Sequence, residues 1–444
     1  LSGAYVKFLK GFLLTMHQKS TIVSIAAASF VVLIMVFFWF FNFASKSTKD
    51  KSGLGKLKDV DLNFTDLPES IDPNLVTSNE SMPFAKDAFS ALKNLLAALA
   101  EENSALRDEV IINFNSLEDY QAFLDGVGDR KIKLLGNSDK FNSVRVGFDN
   151  FGDLFSELSV MDPESYDMET NFLVSLPGQP GIGNSPGAGD NAVAVGRDSL
   201  SVIGINDDNS DYGQGIKIAV IDSGIQEHET FNGKQIKEYD FVTDNNGNSL
   251  PTDPDNGHGT AVASIIGGAD ARNPGIAPAS ELLSFRVLDN DGYTDSYTLA
   301  EAIVAATDAG ADIINVSLGS KGDSGLVRRA VDYSISKGAL IVAATGNEGV
   351  GSISYPAAID GVVAVAANDA VGQHVDFANS GRNLENGGMS APGFAVVAAW
   401  PEDEMISFSG TSASAPFVSG AVAAVMSENP GLTASSAYDL LIDY

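Results

Sequence analysis

From residue 217 onward, short apolar runs alternate with longer stretches of helical spacing, and this alternation leaves few folds open. Ala219-Val220-Ile221 leads into Asp222-Ser223-Gly224, residues 311–316 read Ala-Asp-Ile-Ile-Asn-Val, and residues 340–344 read Leu-Ile-Val-Ala-Ala. Short apolar runs bounded by turn signals are what strands buried on both faces look like. The helical runs between them, such as residues 299–309, supply the crossovers that parallel strands need. The sequence therefore predicts an α/β domain over residues 198–444, a parallel sheet with helices on both faces. Open sheets of this kind collect ligands beyond the carboxyl ends of their strands. Asp222, Ser317 and Asn347 fall at those ends.

A second stretch points to chemistry there. Ser409-Gly410-Thr411-Ser412-Ala413-Ser414-Ala415-Pro416 runs into an apolar helical stretch over residues 417–426. A serine hydroxyl is thereby placed near a helix N-terminus, where unpaired N–H groups and the dipole favour a developing oxyanion. On its own this octapeptide reads as a Ser/Thr cap with no chemistry. Asp222 alone could cap a strand end, and His258, in Asn256-Gly257-His258-Gly259-Thr260-Ala261-Val262-Ala263, could be a satisfied structural histidine. A nucleophilic serine, however, needs a base, and the base needs an acid to hold its tautomer. Asp222, His258 and Ser412 supply all three.

With these motifs the chain resembles the subtilisin-like serine peptidases. The resemblance rests on Ile221-Asp222-Ser223-Gly224, Gly257-His258-Gly259-Thr260 and Gly410-Thr411-Ser412, in that family's Asp, His, Ser order. It implies that Ser412 attacks the scissile carbonyl of a polypeptide substrate, that His258 moves the proton and that Asp222 orients the ring. Ala344-Thr345-Gly346-Asn347 resembles the oxyanion-hole segment, with the Asn347 amide and the Ser412 N–H as donors. Asn315-Val316-Ser317-Leu318-Gly319 resembles the strand that binds substrate, and Gly275-Ile276-Ala277-Pro278 a turn of the same family. Ser317, Leu318, Gly319, Ala344, Thr345 and Gly346 are then the substrate-binding residues. Their small side chains suggest an open pocket for large apolar groups, while Glu348 on the rim could instead favour a basic one.

The departures are informative. Sedolisin relatives share Gly-Thr-Ser-Ala-Ser but replace the histidine with Glu and the oxyanion asparagine with Asp, so His258 and Asn347 point to the neutral-to-alkaline type. Ala413 stands where a Met commonly follows the nucleophile, which implies tolerance of oxidants. The chemistry calls for no cofactor. Structural calcium occurs in the family, yet the segment 267–275 is short for its metal loop. Asp289-Asn290-Asp291-Gly292-Tyr293-Thr294-Asp295 lacks the later Glu of a calcium loop and reads as a turn. His228 and His374 lie in polar sequence and read as surface residues. An α/β-hydrolase is excluded by the triad order and by the absent Gly-x-Ser-x-Gly elbow. The rival class is a catalytically silent, membrane-attached binding protein on a protease fold.

The N-terminal half reads differently. Residues 22–44 are apolar throughout, about 34 Å as a helix and enough to span a bilayer. A cleaved signal peptide has a shorter apolar core. Lysines lie on both sides of this segment, Lys7, Lys10 and Lys19 before it and five from Lys46 to Lys58 after it, so their count does not set the orientation. Net charge is −31, and the acid lies almost wholly after residue 58, which argues against nucleic acid as a partner. The absence of cysteine removes disulfides from the argument.

Residues 1–21 flank the span, 45–82 read as a polar linker, and 85–100 as an amphipathic helix. Across residues 83–176 the pattern is β-α-β-β-α-β: strands at 109–114, 131–135, 143–148 and 171–175, helices at 116–124 and 151–158. That is the ferredoxin-like order, and it resembles a subtilisin-type prodomain, which implies an intramolecular chaperone and inhibitor. Residues 177–197, rich in Gly and Pro, are expected as a flexible, exposed linker holding the processing site. The expected arrangement is a precursor held by one N-terminal span, with its catalytic domain extracytoplasmic and released after processing.

Overall fold

The computed structural model describes residues 104–442, apart from 150, 159, 163, 182–184, 244–248 and 251–255. The expected membrane helix at 22–44 and the amphipathic helix at 85–100 lie outside the described residues. Among the described residues no helix is long and apolar enough to cross a membrane. All described residues belong to one compact unit, Glu80–Tyr444.

The first layer is a small α+β body. It runs β1 (Ala105–Phe114), α1 (Leu117–Gly126), β2 (Lys133–Ser138), β3 (Ser143–Gly147), α2 (Phe151–Leu158) and β4 (Tyr166–Ser175). Helix α1 starts where its capping sequence says it should, because the Ser116 hydroxyl accepts from the Asp119 N–H at 3.1 Å. The strands lie in the order β2-β3-β1-β4 with every neighbouring pair antiparallel, the ferredoxin-like arrangement. The run Val110-Ile111-Ile112 shows that this sheet is covered on both faces. Val110 and Ile112 pack with Tyr120, Phe123 and Leu154 on its own helical side, whereas Ile111 points the other way, into the core of the larger body. With side chains alternating between faces, a strand apolar at consecutive positions is covered on both sides.

The larger body begins with the short helix α3 (Ser199–Val202), then β5 (Lys217–Asp222), β6 (Lys237–Asp240), α4 (His258–Gly267), β7 (Glu281–Arg286), β8 (Tyr293–Asp295) and α5 (Ser296–Asp308). It continues with β9 (Ile313–Val316), α6 (Gly325–Ser336), β10 (Leu340–Ala344), β11 (Val363–Asn368), α7 (Arg382–Glu385), β12 (Met389–Pro392), β13 (Val396–Trp400), β14 (Glu404–Phe408), α8 (Thr411–Glu428) and α9 (Ala434–Ile442). Seven strands form one parallel sheet in the order β12-β11-β10-β9-β5-β7-β6. Strand β5 shows the two-sided burial read from the sequence. Ile218 and Val220 face a core shared with α4 and α8, and Ala219 and Ile221 face one shared with α5 and α6.

Polar contacts join the apolar packing of Ile111 and Val174 where the two bodies meet. Strand β4 pairs with β8, extending the small sheet onto the larger body. Arg145 bridges Glu109 at 2.7 Å and Asp295 at 2.8 Å, and Asp295 also caps α5 by accepting from the Thr298 N–H at 3.0 Å. The Glu169 carboxylate accepts from the Leu326 N–H at 3.2 Å in the first turn of α6, where the helix dipole favours a negative charge.

The segment 177–197 departs from its expected freedom. The Val193 N–H donates to Asp369, Val195 is buried, and Gly196 bridges to Val396. Its small and apolar residues find complementary backbone on the larger body, and a Gly/Pro-rich composition does not forbid that.

Candidate active site

Asp222 closes β5 at the carboxyl edge of the sheet and is fully buried. His258 opens α4, and its Nδ1 lies 2.8 Å and 3.0 Å from the two Asp222 carboxylate oxygens. That contact puts the proton on Nδ1 and leaves Nε2 as the basic nitrogen. The approach depends on Gly259. A Cβ there would stand 2.4 Å from the Gly224 carbonyl oxygen, so only glycine lets α4 come this close to the end of β5. Ser223, which sequence reasoning passed over, ties Asp222 to the first turn of α4. Its N–H donates to Asp222 at 2.7 Å, and its hydroxyl accepts from the Gly259 N–H at 3.0 Å. The Phe408 ring meets the His258 ring edge-on, with centroids 5.2 Å apart.

Ser412 lies in the first turn of α8 and is almost wholly buried. Its hydroxyl donates to the Ser317 carbonyl at 3.1 Å rather than to His258. The structure therefore brings Asp222 and His258 together, and holds the Ser412 hydroxyl on the backbone of Ser317. Asn347 follows β10, with its amide oxygen accepting from both the Thr411 N–H at 2.9 Å and the Thr411 hydroxyl at 3.0 Å. That pair of bonds turns its NH2 outward. Gly410, at φ +140°, leaves room for it, since a Cβ there would stand 2.9 Å from the Asn347 Nδ2.

The Asn347 NH2 donates to the Gly178 carbonyl at 2.9 Å, and the Ser185 hydroxyl donates to the Asn347 backbone carbonyl. Just upstream, Ser175 and Gly319 exchange both backbone hydrogen bonds, at 3.0 Å and 2.9 Å, and the Leu176 N–H donates to the Gly292 carbonyl at 3.3 Å. The chain at 173–178 thus lies as an extended strand between Gly319 and the β8 turn, and it ends on Asn347. Of the other expected substrate residues, Ser317, Leu318, Ala344 and Thr345 are buried, and the Gly346 N–H donates to the Thr411 hydroxyl at 3.1 Å. The Glu348 carboxylate accepts from Asn379 at 2.6 Å.

One histidine differs from its reading. His228 is buried, not superficial. Its Nδ1 accepts from the Thr230 N–H at 3.0 Å and its Nε2 donates to the Glu404 carbonyl at 3.0 Å. The polar sequence around it concealed that it caps a short turn against β14. His374 is exposed. The Asp289 loop is a turn whose carboxylate accepts from the Asp291 and Tyr293 N–H groups, and Asp295 serves α5 and Arg145. The Asp289 carboxylate thus serves its own turn, and the Asp295 carboxylate the start of α5. Among the described residues no group of three acidic or histidine side chains converges on a cation position.

The family model of the subtilases matches residues 213–443. The chain belongs to the subtilase family. Subtilisin DY from Bacillus licheniformis is 36% identical over 229 residues, which are 50% of this chain and 81% of that protein. Thermitase from Thermoactinomyces vulgaris is 38% identical over 221 residues, 49% of this chain and 76% of that one. Such relatives make this subtilase a serine endopeptidase by class. Among solved structures, fervidolysin from Fervidobacterium pennivorans has a TM-score of 0.63 at 22% identity, over 77% of this chain and 58% of that one. That likeness concerns the fold alone. It covers more of this subtilase than the family model does, so it takes in part of the N-terminal half.

Proposed function

We propose that this subtilase hydrolyses peptide bonds through Asp222, His258 and Ser412, with the Asn347 amide and the Ser412 N–H holding the oxyanion, and that its own residues 173–178 are its first substrate. The observation carrying this reading is the Gly178 carbonyl on the Asn347 amide. A carbonyl held by that donor is the one whose oxygen becomes negative on attack, so the scissile bond is Gly178–Gln179. Ser412 turns from the Ser317 carbonyl to His258, its Oγ adds to the Gly178 carbonyl carbon, and its proton passes to His258 Nε2. His258 then protonates the departing Gln179 nitrogen, and water releases Gly178 from the serine ester. The same cleft later takes other polypeptides as an added strand beside Gly319.

In this reading residues 83–176 are the prodomain and residues 22–44 the anchor. The cut leaves the anchor on the prodomain alone and frees the catalytic domain outside the cytoplasm. Tethering favours the first cut in cis, because a linked segment has a high effective concentration. A binding protein with a dead site has no use for an oriented Asp–His pair and an aligned Asn347.

The test compares wild type with Ser412→Ala by membrane fractionation and N-terminal sequencing. The expected wild-type product is soluble and begins at Gln179, or at a residue trimmed from it, while the variant stays full-length in the membrane. Active wild type that remains full-length and membrane-bound would overturn the precursor reading. Fluorophosphonate labelling mapped to a residue other than Ser412 would overturn the catalytic one.

A further inference from the structure

Strand β9 carries Asn315 in an otherwise apolar run, in register with Val220 of β5 and Val342 of β10. A buried amide in the middle of a sheet is costly unless it is hydrogen-bonded. Two-residue periodicity puts Asn315 and Ser317 on one face, and that face meets α8. There the Ser419 hydroxyl donates to the Asn315 amide oxygen at 2.9 Å, the Asn315 NH2 donates to the Ser317 hydroxyl at 3.0 Å, and that hydroxyl donates to the Ser412 backbone carbonyl at 3.2 Å. Asn315, Ser317 and Ser419 are wholly buried.

The last bond answers a defect written into the helix. In α8 the carbonyl of Ser412 should accept from the N–H four residues on, and that residue is Pro416, which has none. We propose that Ser419, Asn315 and the Ser317 side chain are positioning residues whose relay replaces this missing helical hydrogen bond and so fixes the backbone of Ser412. The relay rests on the assignment of Ser412 as nucleophile. A carbonyl held on its outer side fixes the ψ angle of Ser412, and with it the direction of Cβ and Oγ and the alignment of the neighbouring oxyanion N–H. Residues 412, 416 and 419 lie on one helix face, so the proline that opens the gap and the serine that anchors the relay meet β9 together.

A double-mutant cycle tests it on the full chain, reading turnover of a chromogenic peptide and the fluorophosphonate labelling rate of Ser412. Ser317→Ala should lower kcat and labelling about ten-fold with KM little changed. Pro416→Ala returns an N–H to the helix, so Ser317→Ala should cost about two-fold or less in that background. Ser419→Ala should act in the same direction, by about two- to three-fold, and it carries the readout if Ser317→Ala does not fold. Equal losses in both backgrounds, or a fall in Tm with kcat and labelling at wild-type rates, would overturn the relay and leave the nucleophile standing. A label mapped away from Ser412 would instead remove the nucleophile itself.

Discussion

The Asn347 amide and the Gly178 carbonyl, 169 residues apart in the chain, lie 2.9 Å from each other. Thr411 orients the amide by holding its oxygen, and Gly178 receives the hydrogen that a reacting carbonyl would need. One side chain thus links the first turn of α8 to the segment that ends at Gly178. Replacing Asn347 with Ala should lower kcat by about 10²–10³, about 3–4 kcal/mol of transition-state stabilisation, with KM little affected. Steady-state kinetics on a peptide substrate would show it. An effect confined to KM would mean that Asn347 binds the ground state only.

The Asp222–His258 contact yields a second expectation. Asp222→Asn keeps the shape but removes the charge that supports the imidazolium and the acceptor that fixes its tautomer. It should lower kcat by about 10⁴, the size typical of neutralising this carboxylate in serine proteases. Circular dichroism should stay native, since the Ser223 N–H can still donate to the remaining amide oxygen. A loss under ten-fold would exclude His258 as the base.

Register in the cleft is set by Ser175 and Gly319, which exchange two backbone bonds. Ser175→Pro removes one donor and should slow the cut after Gly178 without changing turnover of an added peptide. Pulse-chase of the full chain would measure the first, and an assay of the released enzyme the second. Processing at the wild-type rate would show that this pairing does not position the segment.

The junction between the two bodies should respond to pH. Glu301, on α5, is pushed above its ordinary carboxyl range, first by burial, with the nearby Asp139 charge adding to it. A carboxyl raised in the docked state contributes stability that is present at low pH and is lost as pH rises through its docked value. The small body should therefore hold more tightly in acid and loosen toward neutrality. Glu301→Gln should flatten that dependence, which inhibition by the N-terminal body, measured from pH 4 to 8, would reveal. An unchanged pH profile in the variant would assign the dependence to other groups.

Ala413 is fully buried beside Ser412 and cannot be oxidised. Peroxide doses that spare the fold should leave turnover intact, and Ala413→Met should make it sensitive. Wild type losing activity while its circular dichroism stays native would disprove this.

Strand periodicity and apolar runs fixed most of the architecture at the level of sequence. The strands of the parallel sheet were legible because residues buried on both faces must be apolar at consecutive positions, as in Ala219-Val220-Ile221. The β-α-β-β-α-β order was legible from alternation and from the Ser116 cap. Asp222, His258, Asn347 and Ser412 were singled out together by the motifs that resemble the subtilisin-like peptidases, since each alone reads as a cap, a turn residue or a structural histidine. The small residues beside them, such as Gly259 and Gly410, are what their close packing demands.

What the tertiary structure decided was which groups meet. A Gly/Pro-rich composition says nothing about whether the segment from Pro177 onward swings free or lies against the larger body, because the hydrogen bonds of Gly178, Val195 and Gly196 are made by their backbone, which every sequence has. His228 looked superficial because its partners, Thr230 and Glu404, use backbone groups that carry no local signal. Asn315 and Ser419 read singly as a polar interruption and a helix residue. Only the crossing of α8 over β9 brings them together, and only the missing N–H of Pro416 gives the Ser317 hydroxyl something to replace. Sequence determines the pattern of burial along each element, whereas the pairing of polar groups depends on distances between elements that no local pattern encodes.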